Sequence, residues 1–572
     1  MNKTIMRAAH AILQVIPKSV KRKLKQNEYL TGWYVRSVRR AGLFFDALSP
    51  EQTQKLYSDW LVFEQSKKTV LTNAATEWQV IVFSSGASTA QQATQKAPVF
   101  RNDNETCEYF FLHEHDRLDF SSVVQRLNPN IPVVLINEGD ELTPEAKQHF
   151  LRALQSADLV YSDTDSLSEN GDRKDPRFLP DWNPDLMYST AYVKSGVVIM
   201  PELLKKIENE DAQTISGIVV NLWFDNKLMR IHHIPLPLVH TNCEADITQQ
   251  ELECVKDSIN RHTSAEVTYN QKLKLNQIRW QNSKPLVSLL IPTKNSKALV
   301  KACIESILDK TTYSNFEILL IDNGSDEKES LDYFTYLNTL EKVRVLKYPY
   351  PFNYSAINNF GVKHAAGSII GLINNDIEVI SPDWLLYMVG HAERDSVGCV
   401  GAKLLYSDTR IQHAGVVLGY GGGAGHAHKN FPRYYNGHLN RINATSNFSA
   451  VTAACLLVKR AVFETVGGLN EKDLAVAFND VDFCLKVREL GLQNVYCAEA
   501  ELFHHESVSR GLDISPEKAA RFNRELNYLQ TKWHKYIKRD PAYSPNLTLK
   551  RENFAVKGMD ELIEDALAED NL

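Results

Sequence analysis

Three short polar segments of this sequence carry residues that could bind a charged ligand, and each follows an apolar run directly. The apolar runs with their polar endings are residues 287–291 with 292–295, 316–321 with 322–326, and 368–373 with 374–378. Apolar residues at helical spacing follow the first ending, as expected for a strand, a turn and a helix. In a doubly wound parallel sheet, ligands bind outside the carboxyl ends of the strands. We therefore expect the three polar segments to converge on one crevice.

The predicted crevice is acidic, because Asp322, Asp326, Asp376 and Glu378 lie in two of these segments. Acidic side chains cannot hold a diphosphate by themselves, so either a divalent cation lies between them or the ligand is itself cationic. The cation hypothesis is chemically economical. An Asp carboxylate supplies the hard oxygen ligand that Mg²⁺ or Mn²⁺ prefers, and phosphate oxygens can take the remaining positions.

The residues of these segments, Ile-Pro-Thr-Lys-Asn, Ile-Asp-Asn-Gly-Ser-Asp and Ile-Asn-Asn-Asp-Ile-Glu, resemble the three donor-site segments of family 2 glycosyltransferases with a GT-A fold. The resemblance covers residues 285–511. It implies that the nucleotide contacts Thr293, Asn295 and Asp322. It also places Asn374, Asn375 and Asp376 where the family has Asp-x-Asp. Because an Asn replaces the first Asp, the resemblance assigns the carboxylate metal ligand to Asp376 alone.

Asp480, at the start of a predicted helix, matches the general base of the family, with Asn479 in place of Glu. An acidic residue there also has a structural explanation, since capping and complementing the helix dipole stabilise a helix start by about 1 kcal/mol. Asn359 with Gly361 resembles the family's Asn-x-Gly, which implies a donor contact; an Asn on a helix surface is the alternative.

Residues 502–511 resemble the late histidine segment of the family, which implies a histidine in the metal shell. We expect this ligand to be His504 rather than His505. Successive side chains of a strand point to opposite faces, so only one of the two can reach the crevice.

The composition describes an ordinary globular chain of 572 residues, with 43% hydrophobic residues, 23% charged residues and a net charge of −6. No global basic field indicates nucleic-acid binding. The eight cysteines form no Cys-x-x-Cys pair, which argues against a zinc site or a disulfide framework. No apolar run approaches the ~18 residues of a membrane span. We therefore expect a cytoplasmic protein.

A basic segment, residues 3–40, carries ten Lys or Arg against the single acid Glu28. Basic amphipathic segments bind anionic membrane surfaces, where each cation adds about 1 kcal/mol. This pattern predicts a peripheral association with the inner face of the cell membrane, although a solvated helix face is an equal alternative.

The N-terminal half repeats the pattern of the C-terminal half, since residues 133–144 parallel residues 370–382. Strands are predicted at residues 79–83, 109–112, 133–136 and 159–161. The half lacks the polar turn after its first strand, and an apolar run at residues 215–224 stands where the base motif is expected. We therefore predict a degenerate, non-catalytic copy. In it, Asp140, Asp163 and Asp165 should be dispensable for chemistry, with Asp163 and Asp165 bonding local backbone amides of a turn.

The predicted fold class is α/β, with a mostly parallel, Rossmann-like GT-A catalytic domain preceded by a degenerate GT-A-like domain. The predicted divisions are a basic helical arm (1–75), the degenerate domain (76–272), a linker (273–283), the catalytic domain (284–548) and an acidic tail (549–572), which either docks on the arm or frays. Residues 419–425 are glycine-rich and predict a mobile loop. The flanking His413, His426, His428 and His438 fit no zinc spacing and are expected to be ordinary loop residues.

The resemblance implies an inverting transfer of sugar from a nucleotide-diphosphate donor to an acceptor hydroxyl. The tandem layout and residues 540–547 resemble rhamnosyl-type transferases that build bacterial O-antigen or capsule on a lipid carrier, which implies a dTDP-rhamnose donor and a lipid-linked or oligosaccharide acceptor. Two alternatives stay open. The chain could be a bifunctional polymerase with both halves active, or a carbohydrate-binding or assembly scaffold without turnover.

Overall fold

The computed structural model of the protein describes residues 47–67, 77–84, 107–113, 120–208, 212–241, 249–505 and 516–569. The predicted basic segment and the end of the late histidine segment lie outside these residues. The chain divides into two compact units. The N-terminal unit comprises residues 48–279, 541–549 and 554–569, and the C-terminal unit comprises residues 280–540 and 550–553.

The N-terminal unit contains an eight-stranded sheet in the order β2-β1-β3-β7-β5-β8-β4, with β6 paired to β5. Its strands are β1 (Trp78–Ser84), β2 (Cys107–His113), β3 (Val133–Asn137), β4 (Glu141–Leu142), β5 (Leu159–Leu167), β6 (Arg173–Arg177), β7 (Val197–Ile199) and β8 (Ile231–His240). Its helices are α1 (Pro50–Ser66), α2 (Phe120–Arg126), α3 (Ala146–Leu154), α4 (Pro184–Thr190), α5 (Pro201–Leu204), α6 (Ile215–Asp225) and α7 (Gln249–His262). The four strands predicted for this half coincide with β1, β2, β3 and β5.

Part of the predicted linker, residues 273–283, is regular structure. A two-stranded antiparallel sheet forms from β9 (Glu266–Asn270) and β10 (Leu275–Arg279). The side chains of Leu275 and Ile278 are buried, one on each face of β10, and this apolar burial stabilises the strand. The compact units meet in sequence at residues 279 and 280.

The C-terminal unit contains a ten-stranded mixed sheet in the order β13-β12-β11-β14-β21-β16-β22-β15, with β17 on β16 and β20 on β22. Its strands are β11 (Val287–Thr293), β12 (Phe316–Asp322), β13 (Val343–Lys347), β14 (Ile369–Ile373), β15 (Ile377–Val379), β16 (Val397–Leu405), β17 (Ile411–His413), β18 (Val416–Leu418), β19 (Ala424–His426), β20 (Ser446–Phe448), β21 (Cys455–Lys459) and β22 (Gln493–His504). Its helices are α8 (Lys297–Lys310), α9 (Lys328–Leu337), α10 (Tyr354–His364), α11 (Trp384–Glu393), α12 (Arg460–Thr465), α13 (Asn479–Glu489), α14 (Pro516–Lys532) and α15 (His534–Lys538).

The α/β class predicted from the sequence is confirmed in both units. Strands β11 to β14 of the C-terminal unit are parallel, as predicted, and β21 then enters the sheet antiparallel to β14 and β16. The continuous apolar runs of β11, β12 and β14 are buried on both faces, which is the usual environment of parallel strands. Their polar endings consequently lie at one edge of the sheet.

Residues 50–66, assigned to the basic arm by sequence, form helix α1 of the N-terminal unit. The helix begins with a capping box, in which Ser49 and Gln52 exchange hydrogen bonds with each other's backbone N–H groups. Tyr57 and Trp60 are buried, and their rings pack on each other and on Phe178. Aromatic burial of this size fixes the helix to the unit.

Most of the described part of the acidic tail, residues 554–569, also belongs to the N-terminal unit. Helix α16 (Met559–Glu569) contacts α1, and Leu562 is buried. The Glu561 carboxylate accepts hydrogen bonds from the Thr548 hydroxyl at 2.8 and 2.7 Å. The described part of the tail is therefore a packed helix of this unit.

The expectation that Asp163 and Asp165 are turn residues is wrong, since both lie in β5 and are fully buried. The Asp163 carboxylate accepts the Leu179 N–H at 2.7 Å and the Asn546 side-chain amide at 3.3 Å. It also lies 2.8 Å from His233 Nε2. A buried carboxylate needs such partners because desolvation strongly penalises its charge.

Asp165 has its own partners, the Tyr57 hydroxyl at 2.5 Å, Arg173 Nε at 2.6 Å and His240 Nδ1 at 2.5 Å. Its carboxylate thereby joins α1, β6 and β8 to β5. Both carboxylates hold the N-terminal unit together, since each binds residues that are far apart in sequence.

The glycine-rich segment is not an irregular loop. Strands β18 and β19 pair antiparallel, and a 3₁₀ turn (Tyr420–Gly422) joins them. The turn needs positive φ at Gly419, Gly421 and Gly422, with φ of 95°, 60° and 78°, a conformation that glycine adopts without steric cost.

Within the described residues, no helix combines the length and apolar character required to cross a bilayer.

The buried His233 should make the N-terminal unit less stable as pH rises. Burial alone would lower the pKa of His233, but the adjacent carboxylates of Asp163 and Asp181 outweigh it and raise this pKa. The resulting stabilisation is complete below about pH 6.5, the ordinary pKa of His, and is lost as pH rises through the raised pKa. We expect the denaturant concentration at the unfolding midpoint, measured by circular dichroism, to decrease as the pH is raised from about 6 to about 9. Asp163→Asn should flatten this slope, and the exposed control His364→Gln should not.

Candidate functional site

The endings of β11, β12 and β14 meet, as the sequence predicts. Thr293 pairs with Asp322 in the register of β11 and β12. The Thr293 carbonyl accepts the Asn323 N–H at 2.8 Å, and its hydroxyl accepts the Asn375 side-chain amide at 2.9 Å. Three segments that are distant in sequence are thereby joined by direct hydrogen bonds. They form one polar edge of the C-terminal sheet.

Asn295 holds the loop after β12 in place. Its side-chain oxygen accepts the backbone N–H groups of Asp326 at 2.9 Å and Glu327 at 3.1 Å, and its amide donates to the Asp326 carboxylate at 2.7 Å. Glu327 is the N-cap of α9 and makes no side-chain capping bond. Asn295 therefore holds the backbone immediately before this helix, at the N-cap residue and the residue preceding it. The predicted nucleotide contact of Asn295 remains a prediction.

Asp376 and His504 lie side by side because β15 pairs with the end of β22. Ile377, the residue after Asp376, is opposite His504 in this antiparallel pair. His504 Nε2 is 3.1 Å from Asp376 Oδ1, and both side chains are about one-tenth exposed. The two predicted metal ligands are thus brought together from positions far apart in sequence.

His505 faces away from Asp376, as expected for the next residue of a strand. Its Nε2 is 3.2 Å from a Glu378 oxygen, and its Nδ1 is 2.7 Å from the Ser407 hydroxyl. Only its backbone N–H reaches Asp376, donating to the carbonyl at 2.9 Å.

Gln412 is a site residue that the sequence analysis missed. It lies in β17, it is 3% exposed, and its Oε1 is 2.5 Å from His504 Nδ1. No motif surrounds it, and it lies 92 residues from its partner along the chain. The pairing of β17 with β16, which runs parallel to β22, brings the two residues together.

His413 and His426 are not loop residues, as the sequence suggested, but belong to β17 and β19. Their Nδ1 atoms are 2.9 Å apart. Burial is the main cause that lowers the pKa of both rings, to about 3 for His426, where the charge of Lys429 adds to the shift. These shifts favour the neutral form of both rings.

Asp480 reaches the site through the short segment before β21. Its Oδ2 accepts the Ala453 N–H at 3.1 Å, while the neighbouring Ala454 carbonyl accepts the Asn374 N–H at 2.9 Å. Burial raises the pKa of the Asp480 carboxyl, although backbone hydrogen bonds from Ala453 and Val481 oppose the shift. A carboxyl with a raised pKa is better suited to accept a proton near neutral pH.

The backbone at Phe478 sets the direction of Asp480. Phe478 has φ 58° and ψ 9°, a left-handed conformation that is uncommon for a residue other than glycine. The Asn479 side chain donates to the Val476 carbonyl at 2.9 Å. Asn479, which stands in place of an acid, therefore stabilises this turn.

Asn359 is the one predicted residue that the structure does not bring to this edge. Its amide donates to the Leu469 carbonyl at 2.9 Å and to Glu471 at 2.7 Å, and its oxygen accepts the Leu469 N–H at 2.9 Å. It lines a separate cavity of about 400 Å³ with Glu471, Lys472, Asp482, Lys486 and Lys532. Its predicted donor contact remains a prediction, and such a contact would compete with these hydrogen bonds.

The side chains of Asp376 and His504 fit a divalent cation. A carboxylate oxygen and an imidazole nitrogen are both metal ligands, and their separation of 3.1 Å is short enough for one ion to bind both. In the described part of the chain, no group of three His, Cys, Asp or Glu side chains could hold a metal ion. Two protein ligands leave coordination positions open for oxygens of a ligand or of water.

The N-terminal unit repeats the register of β15 and β22 but has no contact like that between Asp376 and His504. Glu141, the residue after Asp140, is opposite His240 where β4 pairs with β8. However, His240 binds Asp165, whereas the Asp140 carboxylate accepts the Ser195 hydroxyl and, at 3.2 Å, the Asn137 N–H. The corresponding aspartate and histidine therefore have separate partners.

Comparisons with known proteins agree with the sequence resemblance. A family model described as Glycosyl transferase family 2 matches residues 288–467. An uncharacterized protein of Sinorhizobium fredii is 40% identical over 446 residues, 74% of this chain and 49% of that protein. The O-antigen biosynthesis protein RfbC of Myxococcus xanthus is 34% identical over 409 residues, 68% of this chain and 31% of that protein. The chain thus spans about half or less of the length of these two relatives.

Among solved structures, the mannosyltransferase PcManGT from Pyrobaculum calidifontis in complex with GDP-Man and Mn²⁺ is similar to part of the chain. It is 16% identical, with a TM-score of 0.33, over 46% of this chain and 67% of that one. A likeness at this score supports no statement about the site.

We expect Asp376→Ala to abolish Mn²⁺ binding at this edge, because a single imidazole is a weak ligand for this ion. Electron paramagnetic resonance of free Mn²⁺ during titration would measure the bound fraction. Asp395→Ala, which removes a fully exposed carboxylate of the same unit, is the matched control and should bind as the unmodified protein does. Equal Mn²⁺ affinity of the Asp376 variant and the control would contradict the assignment.

Proposed function

Because residues 288–467 are a family 2 glycosyltransferase domain, we propose that this protein is an inverting glycosyltransferase that uses a nucleotide-diphosphate sugar. One observation carries the proposal. The Asp376–His504 pair and the segment that holds the Asp480 carboxylate lie at the polar edge where β11 and β12 end in Thr293 and Asp322, which supports the proposal.

The metal requirement is part of the proposal. Asp376 and His504 would hold Mn²⁺ or Mg²⁺, and the bound ion would neutralise the negative charge that accumulates on the leaving nucleoside diphosphate. A mixed oxygen and nitrogen pair favours Mn²⁺, since Mg²⁺ prefers oxygen ligands alone. Thr293, Asn295, Asp322 and Asn375 would position the nucleotide around this pair.

Asp480 would serve as the general base. An acceptor hydroxyl attacks the anomeric carbon and transfers its proton to the Asp480 carboxylate, while the bond from that carbon to the diphosphate oxygen breaks. The raised pKa of Asp480 matches this role, because the carboxyl can hold the proton it receives. A single displacement of this kind inverts the anomeric centre.

We propose that the acceptor is a growing bacterial surface polysaccharide, in lipid-linked or oligosaccharide form. The proposed donor is dTDP-rhamnose. The relative described as an O-antigen biosynthesis protein supports the class of product. The resemblance of residues 540–547 to rhamnosyl-type transferases supports the sugar, although Asp540 itself has a structural role. Its carboxylate accepts the Leu418 N–H at 2.8 Å and the Ser449 hydroxyl at 2.5 Å. The basic segment would place the enzyme on the cytoplasmic face of an anionic membrane.

The main alternative is a scaffold that binds carbohydrate without turnover, and the amides Asn374 and Asn479 in place of acids favour it. Release of nucleoside diphosphate from donor by the purified protein with Mn²⁺ would distinguish an enzyme from a scaffold. The polymerase alternative, with both halves active, is less well supported, because Asp140 and His240 lack the contact that Asp376 and His504 make.

Asp480→Asn should reduce the single-turnover rate by ~10² or more, the scale of losing a general base, and leave donor affinity nearly unchanged. Asp395→Asn serves as the control, since its carboxylate is exposed and remote from any proposed role. Rapid-quench kinetics and donor titration separate the two quantities. A large rise in the donor dissociation constant at an unchanged rate would show that Asp480 binds donor instead.

The two halves can be tested with one matched pair of substitutions. Asp376→Asn should remove turnover, whereas Asp140→Asn should change it less than about tenfold, or roughly 1.4 kcal/mol in the barrier. Asn is isosteric with Asp, so it can still accept the Asn137 N–H. The measurement is the amount of product formed, together with an analysis of its glycosidic linkages. If Asp140→Asn folds normally and loses one of two linkages, the N-terminal unit is a second active site.

A further inference from the structure

The two ring nitrogens of His504 face groups of different chemistry. Nδ1 is 2.5 Å from the side-chain oxygen of Gln412. Nε2 is 3.1 Å from Asp376 Oδ1. Because a metal binds the nitrogen that carries no proton, the position of the ring proton decides whether His504 can serve as a ligand beside Asp376.

The orientation of the Gln412 amide is determined by His504 itself. The Gln412 nitrogen lies 3.5 Å from the backbone carbonyl of His504, and it is placed to donate to it. Exchanging the amide oxygen and nitrogen would set two acceptors, the Gln412 oxygen and this carbonyl, against each other. Gln412 therefore presents its oxygen to Nδ1.

An amide oxygen only accepts hydrogen bonds, so the contact with Gln412 requires a proton on Nδ1. With Nδ1 occupied by this proton, Nε2 is the nitrogen left to bind a metal, and it lies 3.1 Å from Asp376 Oδ1. Asn374 agrees with this assignment, because its side-chain amide lies 3.2 Å from Nε2 and can donate to it.

We propose that Gln412 is a positioning residue that holds His504 as the Nδ1–H tautomer, so that Nε2 and the Asp376 carboxylate can bind one divalent cation. Asn374, which stands where the family has an Asp, is the second part of this arrangement. The inference rests on the proposed metal-dependent transfer and extends it to a residue that touches neither the donor nor the metal. Loss of such an outer partner typically lowers metal affinity 10–100-fold.

The test compares two variants of Gln412 in the full-length protein. Gln412→Met keeps the length of the side chain and removes the acceptor, whereas Gln412→Glu keeps an acceptor oxygen. We expect the Mn²⁺ dissociation constant, measured by electron paramagnetic resonance, to rise about 10–100-fold for Gln412→Met and to stay within about threefold for Gln412→Glu. Asp376→Ala sets the level for complete loss of the site. Gln412→Leu replaces Gln412→Met if the latter fails to fold.

A second measurement reports the tautomer without metal. In protein labelled with ¹⁵N at histidine, the His504 signals can be assigned by their loss in His504→Gln. Long-range ¹H–¹⁵N spectra of the metal-free protein should then show a protonated Nδ1, and Gln412→Met should lower the population that is protonated at Nδ1. A role of Gln412 in packing alone would not move this population.

The outcomes separate the inference from the proposed function. If Asp376→Ala loses Mn²⁺ binding and Gln412→Met retains full affinity, the inference is wrong and the metal site stands. An Nδ1 without a proton in the unmodified protein would also overturn the inference. If the unmodified protein binds no Mn²⁺, the metal part of the proposed function fails, and the inference fails with it.

Discussion

The pairing of β15 with the last residues of β22 is the constraint on which the C-terminal site depends. Antiparallel register places His504 opposite Ile377 and so beside Asp376. A shift by one residue would turn every side chain of the strand to the other face, and His505 would replace His504. The apolar side chains of this strand pair, among them Ile377, Val379 and Leu502, are buried, so the hydrophobic core sets the register that the site uses.

The N-terminal unit shows that this register is not sufficient for the contact. The same pairing places His240 next to the residue that follows Asp140, yet each side chain has a different partner. Asp165, on the neighbouring β5, contacts His240, and the Ser195 hydroxyl donates to the Asp140 carboxylate. Backbone topology can therefore persist in a repeat while a few side-chain contacts decide whether a metal site forms, since fold and site are determined by different interactions.

Buried carboxylates recur through the protein, and their partners distinguish structure from chemistry. Asp163 and Asp482 are fully buried and bind cationic or donor groups, such as Lys532 at 2.8 Å from Asp482. These contacts compensate for desolvation and hold distant elements together. Asp480 is less buried, and its carboxylate accepts hydrogen bonds from the backbone N–H groups of Ala453 and Val481 and from the Thr452 side chain. A carboxyl held in this way can change protonation without breaking a buried ion pair.

The sequence by itself determined the α/β class, the strands that end in polar segments, and the convergence of Thr293, Asp322 and Asp376 on one edge. Those conclusions follow from local patterns, because apolar runs and the polar residues after them are adjacent in sequence. Tertiary structure alone decided the partners of these residues. Gln412 approaches His504 through strand pairing across 92 residues, Asn359 fastens a neighbouring loop, and the glycine segment folds as a hairpin. Asp163 and Asp165 become buried anchors for the same reason: long-range contacts depend on the packing of the whole unit, which no local pattern records.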